Sequence, residues 1–385
     1  MPETQHNPRD ILVHIHEYVG GKGFFYTRQA IANLYLALKT KPFVILTGPS
    51  GTGKTQLVRL FAEAIGYRNN CLMIPVRPDW TDSSELLGYR DLKGNYQSGR
   101  LIALIQKAHE HPKQLFFVIL DEMNLARVEY YLPEFLSVLE TRRWNGEQVI
   151  TDSILGIGKS QPSSDFEGLA QLGWPANLYL IGTVNMDDTT HPFSPKVLDR
   201  AQTIEFSTVQ LDWPVAYESI DPMEGVASDF LATPYLHAND LDASQKKQLQ
   251  PVINWLNQIN DALAMVDLSI GYRVRDEVAF YMMHRMNIRE LVSEGEALDR
   301  LMAQKILPRI QGTSGRVSNL LVKLMQILAP KALEELTHTS ALKYADLYRL
   351  LGDPVKKKLP FPLSLEKLLM MYQRLEEDGY TSYWL

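Results

Sequence analysis

Gly48-Pro49-Ser50-Gly51-Thr52-Gly53-Lys54-Thr55 is the stretch from which the rest of this chain can be read. It fits G-x-x-x-x-G-K-[ST], a loop that holds phosphate when a buried strand precedes it and a helix follows. Both flanks are present. Phe43-Val44-Ile45-Leu46 is an apolar run of strand length, and Leu57, Val58, Phe61, Ala64 and Ile65 recur at helical spacing. Glycines let successive backbone N–H groups face phosphate oxygens, and the helix adds its positive N-terminal end. In such a loop Lys54 reaches the β- and γ-phosphates, and the Thr55 hydroxyl ligates Mg2+. The expected nucleotide contacts are therefore Gly48, Pro49, Ser50, Gly51, Thr52, Gly53, Lys54, Thr55 and Gln56. The bland alternative, a glycine-rich turn with no ligand, is outweighed by the full motif between its proper flanks.

Downstream, Leu115-Phe116-Phe117-Val118-Ile119-Leu120 is an apolar run suited to a strand buried on both faces. It ends in Asp121-Glu122, at the strand end where ligands sit in open α/β sheets. Asp121 is expected to hold Mg2+ through water, and Glu122 to polarise the attacking water. Asn177-Leu178-Tyr179-Leu180-Ile181-Gly182-Thr183-Val184-Asn185 is a further strand ending in a polar side chain. There Asn185 can contact both the γ-phosphate and the attacking water. Arg200 stands just before a last short strand at residues 203–206. It is placed to act across a subunit boundary on a neighbour's γ-phosphate, with an ordinary surface arginine as the alternative.

Between these parts the reading is looser. Leu72-Met73-Ile74-Pro75-Val76 is a second strand, with Cys71 before it as a small core residue. The run through Trp80 to Tyr89 is either a surface insert with a task or a packed connection. Residues 141–176 are polar and rich in Gly, Ser and Pro, as in a hairpin or flexible insert. Thr27 can cap a helix whose face is Ile31, Leu34, Tyr35 and Leu38. From about Leu211 helical periodicity takes over, with Val252, Trp255, Leu256, Ile259, Leu263 and Val266 in one stripe. The division expected is 1–26 helical lead-in, 27–210 α/β nucleotide-binding core, 211–330 α-helical lid and 331–385 C-terminal helical extension.

The 385 residues carry a net charge of −6, which is not the footprint of a dedicated nucleic-acid-binding domain. Lys356-Lys357-Lys358 fits a solvated loop. A single cysteine excludes an intrachain disulfide and suits the reducing cytoplasm. No signal peptide is seen, and no apolar run approaches the ~18 residues of a membrane span.

The order of parts resembles the AAA+ family of ring-forming NTPases over roughly residues 24–330. The resemblance implies an α/β fold with a five-stranded parallel sheet, a small α-helical lid and a helical tail. It also implies nucleotide bound between the subunits of a homo-oligomer, usually a hexameric ring. Lys54 and Thr55 match Walker A, Asp121 and Glu122 match Walker B, Asn185 matches sensor 1, and Arg200 the arginine finger. Arg275, at the start of a lid helix, looks like sensor 2, with Arg273 as its rival.

Asp121-Glu122-Met123-Asn124, Gly182-Thr183-Val184-Asn185-Met186-Asp187-Asp188 and Ile306-Leu307-Pro308-Arg309-Ile310 are similar to the McrB branch. That branch supplies the motor of modification-dependent restriction systems, and MoxR-type chaperones are its cousins. Leu125 and Thr189 stand where the branch commonly has arginine. The short lead before the phosphate loop leaves no room for a domain that reads modified bases. The likeness implies an NTPase that drives a separate nuclease or effector in anti-phage defence, with DNA reached through the assembly. No metal-nuclease carboxylate cluster is seen in the chain, so cleavage would belong to that partner. A MoxR-like chaperone is the second reading. A small-molecule kinase is disfavoured, because Glu122 with Asn185 and Arg200 suits a positioned water that a kinase must exclude. ATP ranks ahead of GTP.

Overall fold

The computed structural model describes residues 7–93, 95–155, 171–185, 191–206, 218–313, 315–334, 342–354 and 357–384. Met186 to Thr190, residues 156–170 of the 141–176 insert and Lys356 lie outside them. The chain divides into two compact units, Met1–Leu236 and His237–Leu385.

The first unit is built on five parallel strands: β1 (Phe43–Gly48), β2 (Cys71–Pro75), β3 (Phe116–Asp121), β4 (Leu178–Asn185) and β5 (Gln202–Glu205). Their order across the sheet is β2-β3-β4-β1-β5. Apolar side chains fill both faces of β1, β3 and β4, as strands covered by helices on both sides require. Register brings the functional ends together: Gly48 pairs with Asn185, and Leu120 with Gly182. Gly182 is forced by packing, since a Cβ there would lie 1.8 Å from the Met123 sulfur. Helices Pro8–Gly21, Arg28–Thr40, Lys54–Ala64 and Arg100–Glu110 belong to this unit. As expected, Thr27 caps the second, its Oγ1 accepting from the Ala30 N–H at 3.1 Å.

The end of the strand-rich region is not the end of the unit. The Met223 N–H donates to the Ala64 carbonyl, the Val226 N–H to the Ile65 carbonyl, and the Tyr67 hydroxyl to the Val226 carbonyl. Residues 218–236 are thus stitched to the end of the phosphate-loop helix. Trp80 is packed rather than displayed: it is 7% exposed and meets Tyr131 edge-on at 5.3 Å. Tyr89 does reach the surface, on a hairpin formed by Gly88–Arg90 and Tyr96–Ser98. Arg143–Asn145 and Gln148–Ile150 form the hairpin foreseen after residue 141. Cys71 opens the edge strand, and burial pushes its thiol up to about 11, which leaves it inert.

Lys39 gives this unit a pH signature. Its Nζ donates to the carbonyls of Asp229 (3.0 Å) and Phe230 (2.7 Å), and burial lowers its pKa to about 8. The folded state then holds fewer protons than the unfolded chain between that value and the ordinary 10.5, so stability rises with pH there. From about pH 8 to about pH 9.5 the wild type should gain about 1.5 kcal/mol over Lys39→Met, below the range where buried tyrosines intervene. Guanidinium midpoints of the two proteins across that window check it; parallel curves would refute the assignment.

The second unit is helical. Asp242 caps Ala243–Ala264 with a reciprocal capping box, and that helix buries Val252, Leu256, Ile259 and Leu263. Trp255 of the same stripe stacks on Phe361 at 5.8 Å. Helical spacing at residues 301–307 predicts an ordinary helix, but Met302–Ile306 is a π-helical turn. It turns Lys305 inward to a buried ion pair with Glu277, 2.6 Å apart. Helices on either side of residue 330 are packed together, Gly315–Leu328 against Pro362–Asp378. Asp299 caps the latter, accepting from the Leu363 and Ser364 N–H groups at 2.9 and 2.8 Å. Gln311–Gly312 also pairs antiparallel with Thr381–Ser382. From His237 onward, the residues expected to form a lid and a separate extension are therefore one compact unit. Among the described residues no helix is long and apolar enough to cross a membrane.

Candidate active site

β1 ends at Gly48, whose φ is +142°, and a Cβ there would sit 2.1 Å from the Phe206 carbonyl oxygen. The close approach exists because the Phe206 N–H donates to the Thr47 carbonyl at 2.7 Å. Gly51 (φ +79°) and Gly53 (φ +85°) complete the turn in backbone conformations that favour glycine. Gly53 is also met by Tyr26, whose hydroxyl donates to its carbonyl at 2.8 Å. Helix Lys54–Ala64 then starts with no side-chain cap, so its first N–H groups are left for an anion.

Lys54 is folded back into the loop, its Nζ donating to the carbonyls of Gly48 (2.9 Å) and Pro49 (2.7 Å). Burial lowers its pKa, against the pull of the Asp121 and Glu122 charges. The ammonium is thus held at the loop, close to where phosphate oxygens would replace those carbonyls.

The carboxylates lie beside it. The Thr55 hydroxyl donates to Asp121 Oδ1 at 2.7 Å, and the Thr183 hydroxyl donates to the same oxygen at 2.7 Å. Glu122 follows in a left-handed conformation, φ +53° and ψ +49°. That costs a non-glycine residue about 1 kcal/mol. Its N–H donates to Thr183 Oγ1 at 3.1 Å, while Met123 plugs the core against Gly182 and its carbonyl accepts from Tyr131. These anchors hold the turn open and aim the Glu122 side chain outward. The Asn185 amide donates to Glu122 Oε1 at 2.7 Å. An adjacent hydroxyl and carboxylate are hard oxygen donors suited to Mg2+, so Thr55 and Asp121 fit that ion.

Lys54, Thr55, Asp121, Glu122 and Asn185 therefore converge on the C-terminal edge of the sheet. Arg200 is held elsewhere, its Nε 3.3 Å from Glu140 Oε1 and its Nη1 donating to the Lys196 carbonyl at 3.1 Å. Arg275 belongs to the second unit, in the first turn of Tyr272–Met286 together with Arg273. Its guanidinium binds Asp276 at 2.6 Å and lies over the Tyr272 ring. Thr183 and Tyr26 take part without having been foreseen. For Thr183 a signal was present: it stands two residues before Asn185 on one strand, hence on the same face.

Residues 43–201 match a family model described as an AAA domain (dynein-related subfamily). Residues 220–380 match a family described as a domain of unknown function (DUF8727). Among solved structures, a Cytophaga hutchinsonii ATCC 33406 protein to which ATPase activity is ascribed is 15% identical, over 78% of this chain and 85% of that one, with a TM-score of 0.43. No curated protein matches the sequence.

Proposed function

With an AAA+ α/β core across residues 43–201 as the premise, we propose that this protein hydrolyses a nucleoside triphosphate, ATP ahead of GTP, between the subunits of a homo-oligomeric, hexameric ring. The work of that ring is to drive a separate nuclease or effector subunit in a McrBC-like defence system. One observation carries the hydrolase reading: Thr55, Asp121, Thr183, Glu122 and Asn185 form a continuous hydrogen-bonded set directly beside the phosphate loop.

The loop amides and Lys54 would bind the phosphates. Mg2+ held by Thr55 and Asp121 would supply charge neutralisation at the phosphate oxygens. Asn185 engages Glu122 through Oε1, which leaves Oε2 to accept a proton from the attacking water. Arg200 would complete the neighbour's site, and Arg275, or Arg273 instead, would answer to the nucleotide from the lid.

A second reading, a MoxR-like chaperone acting on a protein client, is favoured by one feature. The hairpin of the first unit exposes Tyr89 and, at its tip, a fully exposed Leu92, which suits an apolar peptide better than DNA.

Phosphate release with ATP and GTP side by side, with Glu122→Gln as the blank, is the test. Release above the blank with ATP is expected. A preference for GTP would strengthen the McrB-like reading, and no release with either nucleotide would sink the hydrolase assignment. Salt-sensitive stimulation by DNA would favour the restriction role, and stimulation by a client protein alone the chaperone role.

A further inference from the structure

Asn124 stands two residues after Glu122, in the turn Met123–Leu125 that follows β3, and is 1% exposed. A buried amide is unfavourable unless it finds partners. Its Nδ2 does find one: it donates to the main-chain carbonyl of Asn185 at 3.0 Å. Its Oδ1 has no hydrogen-bond partner among the described residues. A residue kept for packing alone would be apolar here, so the single donated bond is what the amide contributes. The backbone carbonyl of Asn124 also accepts the N–H of His191 at 2.9 Å. One residue thus grips the chain at Asn185 and again at His191.

The grip is relayed to the carboxylate. Asn124 holds the main chain of Asn185, and the Asn185 side chain holds Glu122 Oε1. Glu122 and Asn124 are joined through Met123, whose side chain is locked against Gly182. The result is a closed circuit of covalent and hydrogen bonds that starts and ends at Glu122. Without the Asn124 donor, the last peptide of β4 loses its tie on that side, and the Asn185 amide is no longer aimed.

We propose that Asn124 is a positioning residue for hydrolysis: it fixes the end of β4 so that Asn185 presents the Glu122 carboxylate to water. The inference rests on the roles assigned above to Glu122 and Asn185. Asn124→Asp keeps the side chain's size but sets an oxygen against the Asn185 carbonyl. Asn124→Ala removes the group.

Both variants should lower kcat on the order of 10–100-fold, the scale of a small misplacement of a catalytic group. The Kd for a fluorescent ATP analogue should change by less than about threefold, since the phosphate loop is untouched. In an Asn185→Ala background, Asn124→Asp should cost about nothing more, because the relay is already cut. A multiplied loss in the double variant would overturn the proposal. So would loss of nucleotide affinity and melting temperature in parallel with kcat in both single variants, which marks a merely structural role. The premise is read separately. If Glu122→Gln and Asn185→Ala keep wild-type turnover, the site assignment falls, and this inference falls with it. If they abolish turnover while Asn124→Asp keeps more than about half of it, only this inference falls.

Discussion

Glu122→Gln should cut steady-state phosphate release by about 100- to 10,000-fold, the range spanned by loss of a general base, while nucleotide binding and assembly persist. The substitution is close to isosteric. The Gln oxygen can still accept from the Asn185 amide, which now reaches Glu122 Oε1 at 2.7 Å. What disappears is the ability to take a proton from water. The left-handed backbone at this position, φ +53°, is equally costly for Gln and Glu, so stability is not the variable. The Lys54, Thr55 and Asp121 contacts do not involve the replaced group. Phosphate release and a fluorescent-nucleotide titration on one preparation make the check. Turnover within about tenfold of wild type would remove Glu122 from the role of base.

The second large effect concerns Arg200. Arg200→Ala should lower turnover by about 1,000-fold, as expected for an arginine that meets transition-state charge. Folding should survive, because the pair with Glu140 is partly exposed and worth about 0–1 kcal/mol. The decisive version mixes two inactive proteins, Arg200→Ala and Glu122→Gln. In a head-to-tail ring formed from an equal mixture, about a quarter of the interfaces carry an intact Glu122 on one side and an intact Arg200 on the other. Activity should therefore reappear on mixing. If the mixture stays as dead as its components, Arg200 does not act across the interface.

What the sequence made legible was local. The phosphate loop declares itself through a strand, a glycine turn and a helix within about twenty residues, and Asp121-Glu122 through the apolar run before it. The family resemblance that the order of these motifs carries then implied the sheet. What stayed hidden depends on register between distant segments. Thr183 matters because β4 lies beside β3 and brings its hydroxyl to Asp121. Tyr26 matters because the chain before Arg28–Thr40 passes the loop closely enough to reach the Gly53 carbonyl. Trp80 sits in a polar run, yet Tyr131 supplies it with an aromatic partner. Residues 218–236, read as the start of the helical region, are instead retained by the first unit through backbone hydrogen bonds, to which periodicity is blind. The π-helical turn at Met302–Ile306 was equally invisible, since a five-residue stretch is too short for a change of period to register.

The strand order has a consequence for how the protein is made. Phe43 pairs with Leu180 and Val44 with Gln202, so the strand that leads into the phosphate loop leaves the ribosome long before either of its neighbours. Until residues near 185 have emerged, that apolar strand has two bare edges; until residue 206 has, one edge stays bare and Gly48 has no Phe206 to close against. The Gly48 side of the cradle is closed only after that point in the chain. Contacts so distant in sequence form slowly. The interval in which β1 waits is the period when this chain is most open to mispairing, and when a holding chaperone would matter most.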